Sequence, residues 1–511
     1  MELSIIIMMG VYWLAAFTLQ LYGLNCYVMI ALFHRRKESR RLEEARILDE
    51  YRATQTEDDL PVVTTQLPIF NERNVVERLV RAVAAFDYPR EKHEIQILDD
   101  STDETVGIAR ALADELRAAG HDIHHIHRTH REGYKAGALE EGLAKARGEF
   151  VAVFDADFVP PADFLRKTIP FLVMEERCGF VQSRWGHRNR TFSPITRVLA
   201  IGIDGHFVIE QSARSWNGLF FNFNGTGGIW RAAAIRDAGG WQADTLTEDL
   251  DLSYRTQLAG WTSRYLLDVV SPAEIPTDVN ALKSQQHRWA KGSIQTAMKL
   301  LPVVWRRPDI SRFKKIEATL HLTHYMVHPL MLVMTILVLP LLVLTEFTFR
   351  TAWVVVPFIL MTLALFAPTT MYYLSQRVTN ANWKRSLWLL PFLMAVGIGL
   401  AVNNTRAVLE AFSGRKSSFV RTPKLGSAAE QPGVTVPHVA AARGVKHYRL
   451  PRGWLFLLEI SVGLWAAAAF VQYLLLNKIA VSPILLIHAV GFTYIGVISL
   501  MHDLRSRKQS A

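Results

Sequence analysis

The chain has 511 residues, of which 50% are hydrophobic and 20% are charged, and its mean hydropathy is +0.13. This composition excludes a disordered chain and argues against a purely soluble protein, and the length exceeds what one hydrophobic core usually holds. The net charge of +10 suits lipid headgroups or phosphorylated substrates. No arginine-rich motif of the nucleic-acid-binding type is present, so no nucleic acid partner is expected. Two cysteines, Cys26 and Cys178, are too few for a disulfide framework or a cysteine-rich metal site.

The first predicted element is a transmembrane helix within residues 1–33. Its apolar run, 5–33, exceeds the roughly 20 residues that cross a bilayer, and no basic segment precedes it as in a signal peptide. Basic residues follow at once, namely His34, Arg35, Arg36, Lys37, Arg40 and Arg41. Because positive charge marks the cytoplasmic side, we expect the N-terminus outside and the next segment in the cytoplasm.

The segment 42–315 is predicted to be a cytoplasmic α/β domain, because no apolar stretch in it is long enough to cross a membrane. Strands are predicted at 61–68, 93–98, 123–127 and 150–154, and helices at 74–86, 105–119 and 137–147. Strands that alternate with helices at this spacing favour a mostly parallel sheet with right-handed crossovers. Ligands of such sheets bind beyond the carboxyl ends of the strands.

Acidic residues follow two of these strands directly. Asp99 and Asp100 follow the strand at 93–98, and Asp155 and Asp157 follow the strand at 150–154. Two carboxylates one residue apart can share a divalent cation such as Mg²⁺ or Mn²⁺, which can neutralise a diphosphate. Either pair alone could be a turn former. A metal site is the stronger hypothesis when both pairs are considered, because both lie at the carboxyl ends of strands in one predicted sheet.

Three polar clusters lie further along the domain. The sequence Thr247-Glu248-Asp249 leads a predicted helix at 249–258, where Thr247 could simply cap the helix and the acidic residues could suit its dipole. The sequence QQHRW at 285–289 is expected to open a helix toward the membrane, where an interfacial aromatic belt is the simpler explanation. The sequence NFNGTGG at 222–228 could be merely a glycine-rich loop.

Apolar runs resume after residue 315, at 325–344, 353–374, 387–402, 454–476 and 484–500. The links after 374 and after 402 are both basic and both look cytoplasmic, which conflicts with one full crossing between them. The run at 387–402 is short and contains Pro391, and we interpret it as re-entrant or interfacial, leading into an amphipathic piece at 407–412. The resulting domains are transmembrane and interfacial helices at 316–412, a cytoplasmic loop at 413–453 and two transmembrane helices at 454–503.

A group of polar aromatic residues, His321, His324, Tyr325 and His328, falls on one helical face near the cytoplasmic end of a span. These residues could line an entrance for a hydroxyl-rich chain. Interfacial histidines that face headgroups and water are the favoured interpretation, and no metal is proposed there.

Together, these motifs resemble the signature of the inverting, membrane-bound family 2 glycosyltransferases of the cellulose synthase superfamily, which is Asp, Asp-x-Asp, Thr-Glu-Asp and Gln-x-x-Arg-Trp in that order. The match runs from Gln66 to Trp289, and the phrases LDDSTDET, FNGTGGIWR and QQHRW are most similar to the cellulose-synthase-like mannan and glucan synthases. The sequence FVRTPK at 419–424 resembles the gating loop of these synthases, although Arg421 and Pro423 alter its Phe-x-Val-Thr-x-Lys pattern. The resemblance implies a GT-A type α/β catalytic domain beside an α-helical transmembrane region.

The resemblance also implies a role for each matching residue. Asp249 would be the general base, and Asp155 and Asp157 would hold the metal. Nucleotide-sugar binding would fall to Asp99, Asp100, Lys135, Gln285 and Arg288. Acceptor binding would fall to Trp289, Glu248, Asn224, Gly225 and Thr226, with Trp289 as an aromatic face for the terminal sugar. The gating loop would include Phe419, Thr422 and Lys424.

A protein of this kind is a multi-pass enzyme of the inner or plasma membrane with its catalytic domain in the cytoplasm. It would transfer hexose from UDP-glucose or GDP-mannose to the non-reducing end of a growing β-glucan or mannan, processively and coupled to translocation. The alternative is transfer of a single sugar to a lipid, as in the ceramide and diacylglycerol glucosyltransferases. A transporter or scaffold with a degenerate domain would require a broken acidic motif, and none is broken. Expected partners are a nucleotide sugar, a glycan or lipid acceptor and membrane lipids. The sequence makes no prediction about accessory subunits.

Overall fold

A seven-stranded sheet lies at the centre of the segment between residues 63 and 273. The computed structural model describes residues 2–344, 352–415, 424, 426, 454–477 and 482–508. The strands are β1 (Val63–Ile69), β2 (His93–Asp99), β3 (Asp122–His127), β4 (Phe150–Val153), β5 (Cys178–His187), β6 (Gly228–Arg231) and β7 (Thr262–Ala273). Their spatial order is β3-β2-β1-β4-β6-β5-β7, and neighbouring strands are parallel except in the two pairs that β6 makes. The predicted mostly parallel α/β fold is confirmed.

The sequence pattern predicts the first four strands and misses β5, β6 and β7. Strand β2 is buried at every position, as expected for a parallel strand that is covered on both faces. Strand β6 has only four residues, and β5 ends in four half-buried residues, so neither shows the clear pattern that strand prediction needs.

The chain begins with one long helix, α1 (Glu2–Thr54), which does not stop near residue 33 as the span prediction implies. Its extension docks on the α/β domain through Phe33, whose ring stacks on Trp216 at 5.3 Å, and through Glu43, which pairs with Arg264 at 2.7 Å. These contacts keep the polar half helical, so the apolar run and the basic cluster share one helix.

Helices cover both faces of the sheet and form two hydrophobic clusters with it. They are α2 (Val76–Ala84), α3 (Thr105–Ala118), α4 (Tyr134–Lys145), α5 (Phe164–Met174), α6 (Pro194–Asp204), a π-helical turn (Gly205–Glu210), α7 (Gln211–Trp216), α8 (Ala232–Asp237) and α9 (Glu248–Leu258). In α2, the buried residues Leu79, Val80 and Val83 recur at three- and four-residue spacing, so one face of the helix packs on the sheet.

The rest of the described chain is helical. The helices are α10 (Val279–Arg306), α11 (Arg312–Leu322), α12 (Val327–Leu344), α13 (Ala352–Thr379), α14 (Trp383–Ser386), α15 (Leu390–Gly399), α16 (Ala401–Phe412), α17 (Leu455–Leu475) and α18 (Ser482–Lys508). Within the described ranges, four helical segments are long and apolar enough to cross a membrane: α1, His324–Leu344, α17 and Ser482–His502. Helix α13 covers the predicted run at 353–374.

The predicted re-entrant region forms a bent pair of helical segments. Trp383–Gly399 and Ala401–Phe412 meet at an angle of 40°, which fits either a broken span or a re-entrant loop. Helix α10 follows the sheet directly and packs against α9, α16 and α18. It therefore joins the α/β domain to the apolar helices.

Candidate active site

A cleft of about 180 Å³ lies beyond the carboxyl ends of β1, β2 and β4. This is where ligands of parallel sheets are expected to bind. Five predicted site residues that are far apart along the chain line it together, namely Asp100, Asp155, Asp157, Asp249 and Arg288. The fold thus brings the core of the predicted constellation to one place.

The two predicted metal ligands follow β4, and each carboxylate is paired with a lysine. Lys135 Nζ lies 2.6 Å from Asp155 Oδ1, and Lys424 Nζ lies 2.7 Å from Asp157 Oδ2. The main-chain N–H of Asp155 donates to Thr226 Oγ1 over 2.8 Å. Thr226 is buried and does not line the cleft, so the structure gives it a contact with Asp155 in place of the predicted contact with an acceptor.

The Asp155 and Asp157 carboxylates fit a Mg²⁺ or Mn²⁺ ion that a diphosphate completes. Mg²⁺ is usually held by one or two protein carboxylates, with water and substrate phosphates in the remaining positions. Each carboxylate here already attracts an ammonium group, which shows that this corner of the cleft favours a cation. Among the residues that the structure describes, no group of three or more His, Cys, Asp or Glu side chains could hold a metal alone. The donor set therefore suits an ion that arrives with its phosphates.

Asp100 and Asp99 have different surroundings. Asp100 lines the cleft, and both of its oxygens accept hydrogen bonds of 2.6 Å from Arg128. Asp99 is fully buried outside the cleft, where Oδ2 lies 2.8 Å from His125 Nε2 and Oδ1 accepts the Ser101 N–H. Successive residues of a strand point to opposite faces, so only one of the two can face a nucleotide. The structure therefore places Asp99 against His125, away from the cleft in which it is predicted to contact the nucleoside.

Lys135 lies in the first turn of α4, against Asp155 and the loop at 222–228. Its Nζ donates to the Gly225 carbonyl over 2.9 Å and lies 3.9 Å from Glu248 Oε1. Burial lowers the pKa of Lys135, but Asp155, Glu248 and Asp249 more than offset this effect, so its pKa is raised and the ammonium stays charged. A charged lysine at a helix N-terminus suits a phosphate group.

The predicted base, Asp249, lies in the first turn of α9. Its Oδ1 accepts the Leu250 N–H over 2.9 Å. Burial and the neighbouring Glu248 carboxylate raise the pKa of Asp249, although Lys135 acts in the opposite direction. A carboxylate with a raised pKa is better matched to accept a proton near neutral pH.

Thr247 does not cap α9 in the way the simpler explanation requires. It stands at the N-cap position, but its side chain makes no capping hydrogen bond. Its Oγ1 instead lies 3.3 Å from Thr296 Oγ1 on α10. The acidic pair at this helix start is therefore held against α10, beside the cleft.

Gln285, Arg288 and Trp289 all line the cleft from inside α10. The helix begins at Val279, where the Asp278 side chain accepts the N–H groups of Asn280 and Ala281. The QQHRW sequence therefore does not open a helix, as the sequence suggests, but occupies the second and third turns. This placement turns its side chains toward the cleft.

A second cavity, of about 1140 Å³, lies among α1, α12, α13 and α15 and is called here the helical cavity. It meets the cleft at residues that line both spaces, including Trp185, Asn224, Thr247, Asp249 and Trp289. The candidate base therefore lies at the junction of the two spaces.

The predicted histidine face lines the helical cavity. His321 is buried and lies 2.7 Å from the Tyr254 hydroxyl through Nδ1, and His328 Nε2 lies 2.9 Å from Asn404 Nδ2. Packing against α9 and α16 thus fixes His321 and His328 in the wall of the cavity, as the alternative of an entrance for a hydroxyl-rich chain requires.

Of the predicted gating loop, Phe419 and Thr422 lie outside the described residues. Lys424 is described and reaches the cleft, where it contacts Asp157, and its carbonyl accepts a 2.9 Å hydrogen bond from Asn74 Nδ2. Burial lowers the pKa of Lys424, but Asp157 and Glu274 more than offset this effect and its pKa is raised.

The sequence analysis misses Arg131, Trp185 and Glu274, which line the cleft, and Arg128, which pairs with Asp100 there. Arg128 and Arg131 follow β3, so the rule that pointed to acidic residues at strand ends would have found them if applied to basic residues. Trp185 and Glu274 lie at the ends of β5 and β7. These two strands are not predicted, so no signal marked their ends.

The comparisons with known proteins agree with this geometry. Residues 66–234 match the family model described as Glycosyl transferase family 2. Glucomannan 4-beta-mannosyltransferase 2 of Arabidopsis thaliana is 34% identical over 83% of this chain and 77% of its own length. Glucomannan 4-beta-mannosyltransferase 1 of Oryza sativa subsp. japonica is 35% identical over 72% of this chain and 70% of its own.

The chain belongs to the cellulose-synthase-like family 2 glycosyltransferases. As a member of this family it is a hexosyltransferase, and its apolar helices identify it as a membrane protein. Among solved structures, the mannosyltransferase PcManGT from Pyrobaculum calidifontis, in complex with GDP-Man and Mn²⁺, is similar at 18% identity and a TM-score of 0.45, covering 76% of this chain and 99% of that one.

Proposed function

We propose that this hexosyltransferase extends a β-linked glucan or mannan, adding hexose from UDP-glucose or GDP-mannose to the non-reducing end. The names of its relatives, glucomannan 4-beta-mannosyltransferases, support a polysaccharide product. The observation that carries the proposal is the position of Asp249 and Trp289 where the cleft meets the helical cavity. A donor in the cleft and an acceptor reaching in from the cavity would meet at this base.

In the proposed reaction, an acceptor hydroxyl oxygen attacks the anomeric carbon opposite the diphosphate. The new C–O bond forms as the bond from that carbon to the phosphate oxygen breaks, and the hydroxyl proton passes to the Asp249 carboxylate. The configuration inverts, and the nucleoside diphosphate leaves with the electron pair. Lys135 and Arg288 stabilise its charge. A Mg²⁺ or Mn²⁺ ion held by Asp155 and Asp157 would supply further neutralisation of the diphosphate.

The helical cavity suggests how the polymer leaves. It extends from Asp249 to Thr335 and His488, which line it on α12 and α18. We propose that the elongating chain enters this cavity and that synthesis is processive and coupled to translocation. Trp289 would support the terminal sugar, since sugar C–H surfaces pack well on indole.

The proposal is tested with the purified full chain in vesicles, supplied with labelled UDP-glucose or GDP-mannose. Mg²⁺ or Mn²⁺ is added or removed by a chelator, and the products are digested with linkage-specific glucanases and mannanases. We expect a glycan product from one or both donors that is lost with the chelator and restored by the ion. A product extractable into organic solvent would instead establish the lipid acceptor, and no transfer from either donor would contradict the proposal.

The role of Asp249 has a separate test. Asp249→Asn should bind the nucleotide sugar with nearly unchanged affinity while transfer falls at least about 100-fold, because only proton removal is lost. Asp244→Asn, which changes a more exposed carboxylate near α9 that pairs with Lys299, is the matched control and should keep its activity. Equal loss of binding and transfer in the Asp249 variant would contradict the assignment.

A further inference from the structure

A carboxylate, an imidazole and an amide form a hydrogen-bonded chain in the wall of the helical cavity. Glu210 Oε2 lies 2.9 Å from His206 Nδ1, and His206 Nε2 lies 3.1 Å from Asn224 Nδ2. His206 and Glu210 belong to the π-helical turn Gly205–Glu210, an irregularity that proteins frequently place at functional sites. All three side chains line the helical cavity.

The neighbours of this chain fix the direction of its hydrogen bonds. Gln211 Nε2 donates to Asn224 Oδ1 over 2.5 Å, so the amide nitrogen of Asn224 must face His206. His206 therefore accepts at Nε2 and donates from Nδ1 to Glu210.

Glu210 is held as a carboxylate. Burial raises its pKa, but Arg214, whose Nε donates to it over 2.9 Å, and His206 more than offset this effect, so its pKa is lowered. An ionised Glu210 accepts the hydrogen bond from His206 Nδ1, which leaves Nε2 facing Asn224. The Asn224 amide thus has one favoured orientation.

Asn224 stands between the cleft and the helical cavity and lines both. The next residue, Gly225, lies directly against the Asp249 carboxylate. The Asn224 amide, which His206 contacts, therefore lies at the junction of the two spaces, beside the residue that approaches Asp249.

We propose that His206 is a positioning residue for the acceptor, acting through the Asn224 amide to hold an acceptor sugar hydroxyl beside Asp249. The inference rests on the proposed function, because it requires a glycan that enters from the helical cavity. It adds to that function a side chain that selects the acceptor and does not bind the donor.

Two substitutions separate this role from a merely structural one. In His206→Asn, the amide can reach Glu210 but not Asn224, whereas in His206→Gln it can reach Asn224 at the position of Nε2. We expect His206→Asn to raise the KM for a β-1,4-linked manno- or gluco-oligosaccharide about tenfold, with kcat and the KM for the nucleotide sugar nearly unchanged. His206→Gln should restore the acceptor KM to within about threefold of the natural protein.

The measurements use the full chain in vesicles, with His124→Asn on the exposed part of β3 as the matched control. In a double-mutant cycle, His206→Asn should add little to Asn224→Ala, because both changes remove one interaction. Equal effects of His206→Asn and His206→Gln, or a rise in the donor KM, would overturn the inference. If the natural protein extends no oligosaccharide, the proposed function fails. If it does and His206→Asn behaves like the natural protein, only this inference fails.

Discussion

Gly225 sets the space in which the candidate base sits. Its φ is +79°, and a Cβ at this position would lie 2.8 Å from Asp249 Oδ2 and 3.3 Å from Lys135 Nζ. Its carbonyl already accepts a hydrogen bond from Lys135. A side chain here would displace the carboxylate that we propose as the base, so the glycine is required for position as well as for backbone conformation.

We predict that Gly225→Ala lowers kcat at least about tenfold, because the Asp249 carboxylate must move. Gly218→Ala is a matched control: Gly218 has a φ of +66°, but a Cβ there would meet nothing within 4 Å. Both variants should lose about 1–2 kcal/mol of stability from backbone strain, and only the first should lose turnover. Thermal unfolding measures the loss of stability in each variant, and transfer kinetics measure the loss of turnover. Equal activity of the two variants would contradict the role of Gly225.

The raised pKa of Asp249 predicts the pH dependence of transfer. Burial first, and then Glu248, raise this pKa to about 7. A base works only as the carboxylate, so kcat/KM should be level above that pH and fall about tenfold per unit below it. Glu248→Gln removes the neighbouring negative charge that raises the pKa of Asp249. The acidic limb of the pH profile of this variant should therefore move to lower pH, whatever its absolute rate. An acidic limb that stays in place in this variant would contradict the assignment of the base.

Helix α10 connects the cleft to the apolar helices. It carries Gln285, Arg288 and Trp289, and two residues before Gln285 it carries Lys283, which is buried. Lys283 Nζ lies 2.7 Å from Glu459 Oε1 on α17 and 3.3 Å from Ser499 Oγ on α18. Charged groups enclosed among apolar helices are costly unless paired, so this contact fixes α10 against the last two helices.

Breaking this pair should destabilise the protein and disturb the cleft. Lys283→Met alone leaves the Glu459 carboxylate buried without its cation, at an expected cost of about 3–5 kcal/mol. The double variant Lys283→Met with Glu459→Met should recover most of that loss, because apolar replacement of a buried pair is often neutral. Thermal unfolding in detergent measures the stability of both variants. The control is Arg52→Ala, which removes an exposed ion pair with Asp49. A double variant less stable than Lys283→Met would show that the pair does not act as a unit.

At the scale of the whole molecule, the cleft and the helical cavity share one junction. The cleft belongs to the α/β domain, the helical cavity lies between that domain and the apolar helices, and Asp249 and Trp289 line both. A polymer extended at this junction would have its non-reducing end at the base and its body in the cavity.

Vesicles sealed with the α/β domain facing outward should therefore accumulate product inside. We predict that the labelled glycan resists added glucanase or mannanase until detergent opens the vesicles. Product made by the same protein in detergent micelles is the control and should be digested at once. Complete digestion of product in intact vesicles would show that the polymer does not pass through the apolar helices.

The sequence by itself determined the class of fold and most of the site. Apolar periodicity and strand-terminal acids are local patterns, so β1–β4 and the cleft residues Asp100, Asp155 and Asp157 could be found without a structure. The signature motifs also placed Asp249 and Trp289 in one site, which the fold brings together.

Tertiary structure decided which way side chains point and what encloses them. Asp99 is adjacent to Asp100 but faces His125, because strand residues alternate between faces. The histidine face near residue 321 lines a cavity because other helices pack over it, and Arg128 enters the site from a neighbouring strand. Contacts between distant segments depend on how layers pack, and no local pattern in a single chain records that packing.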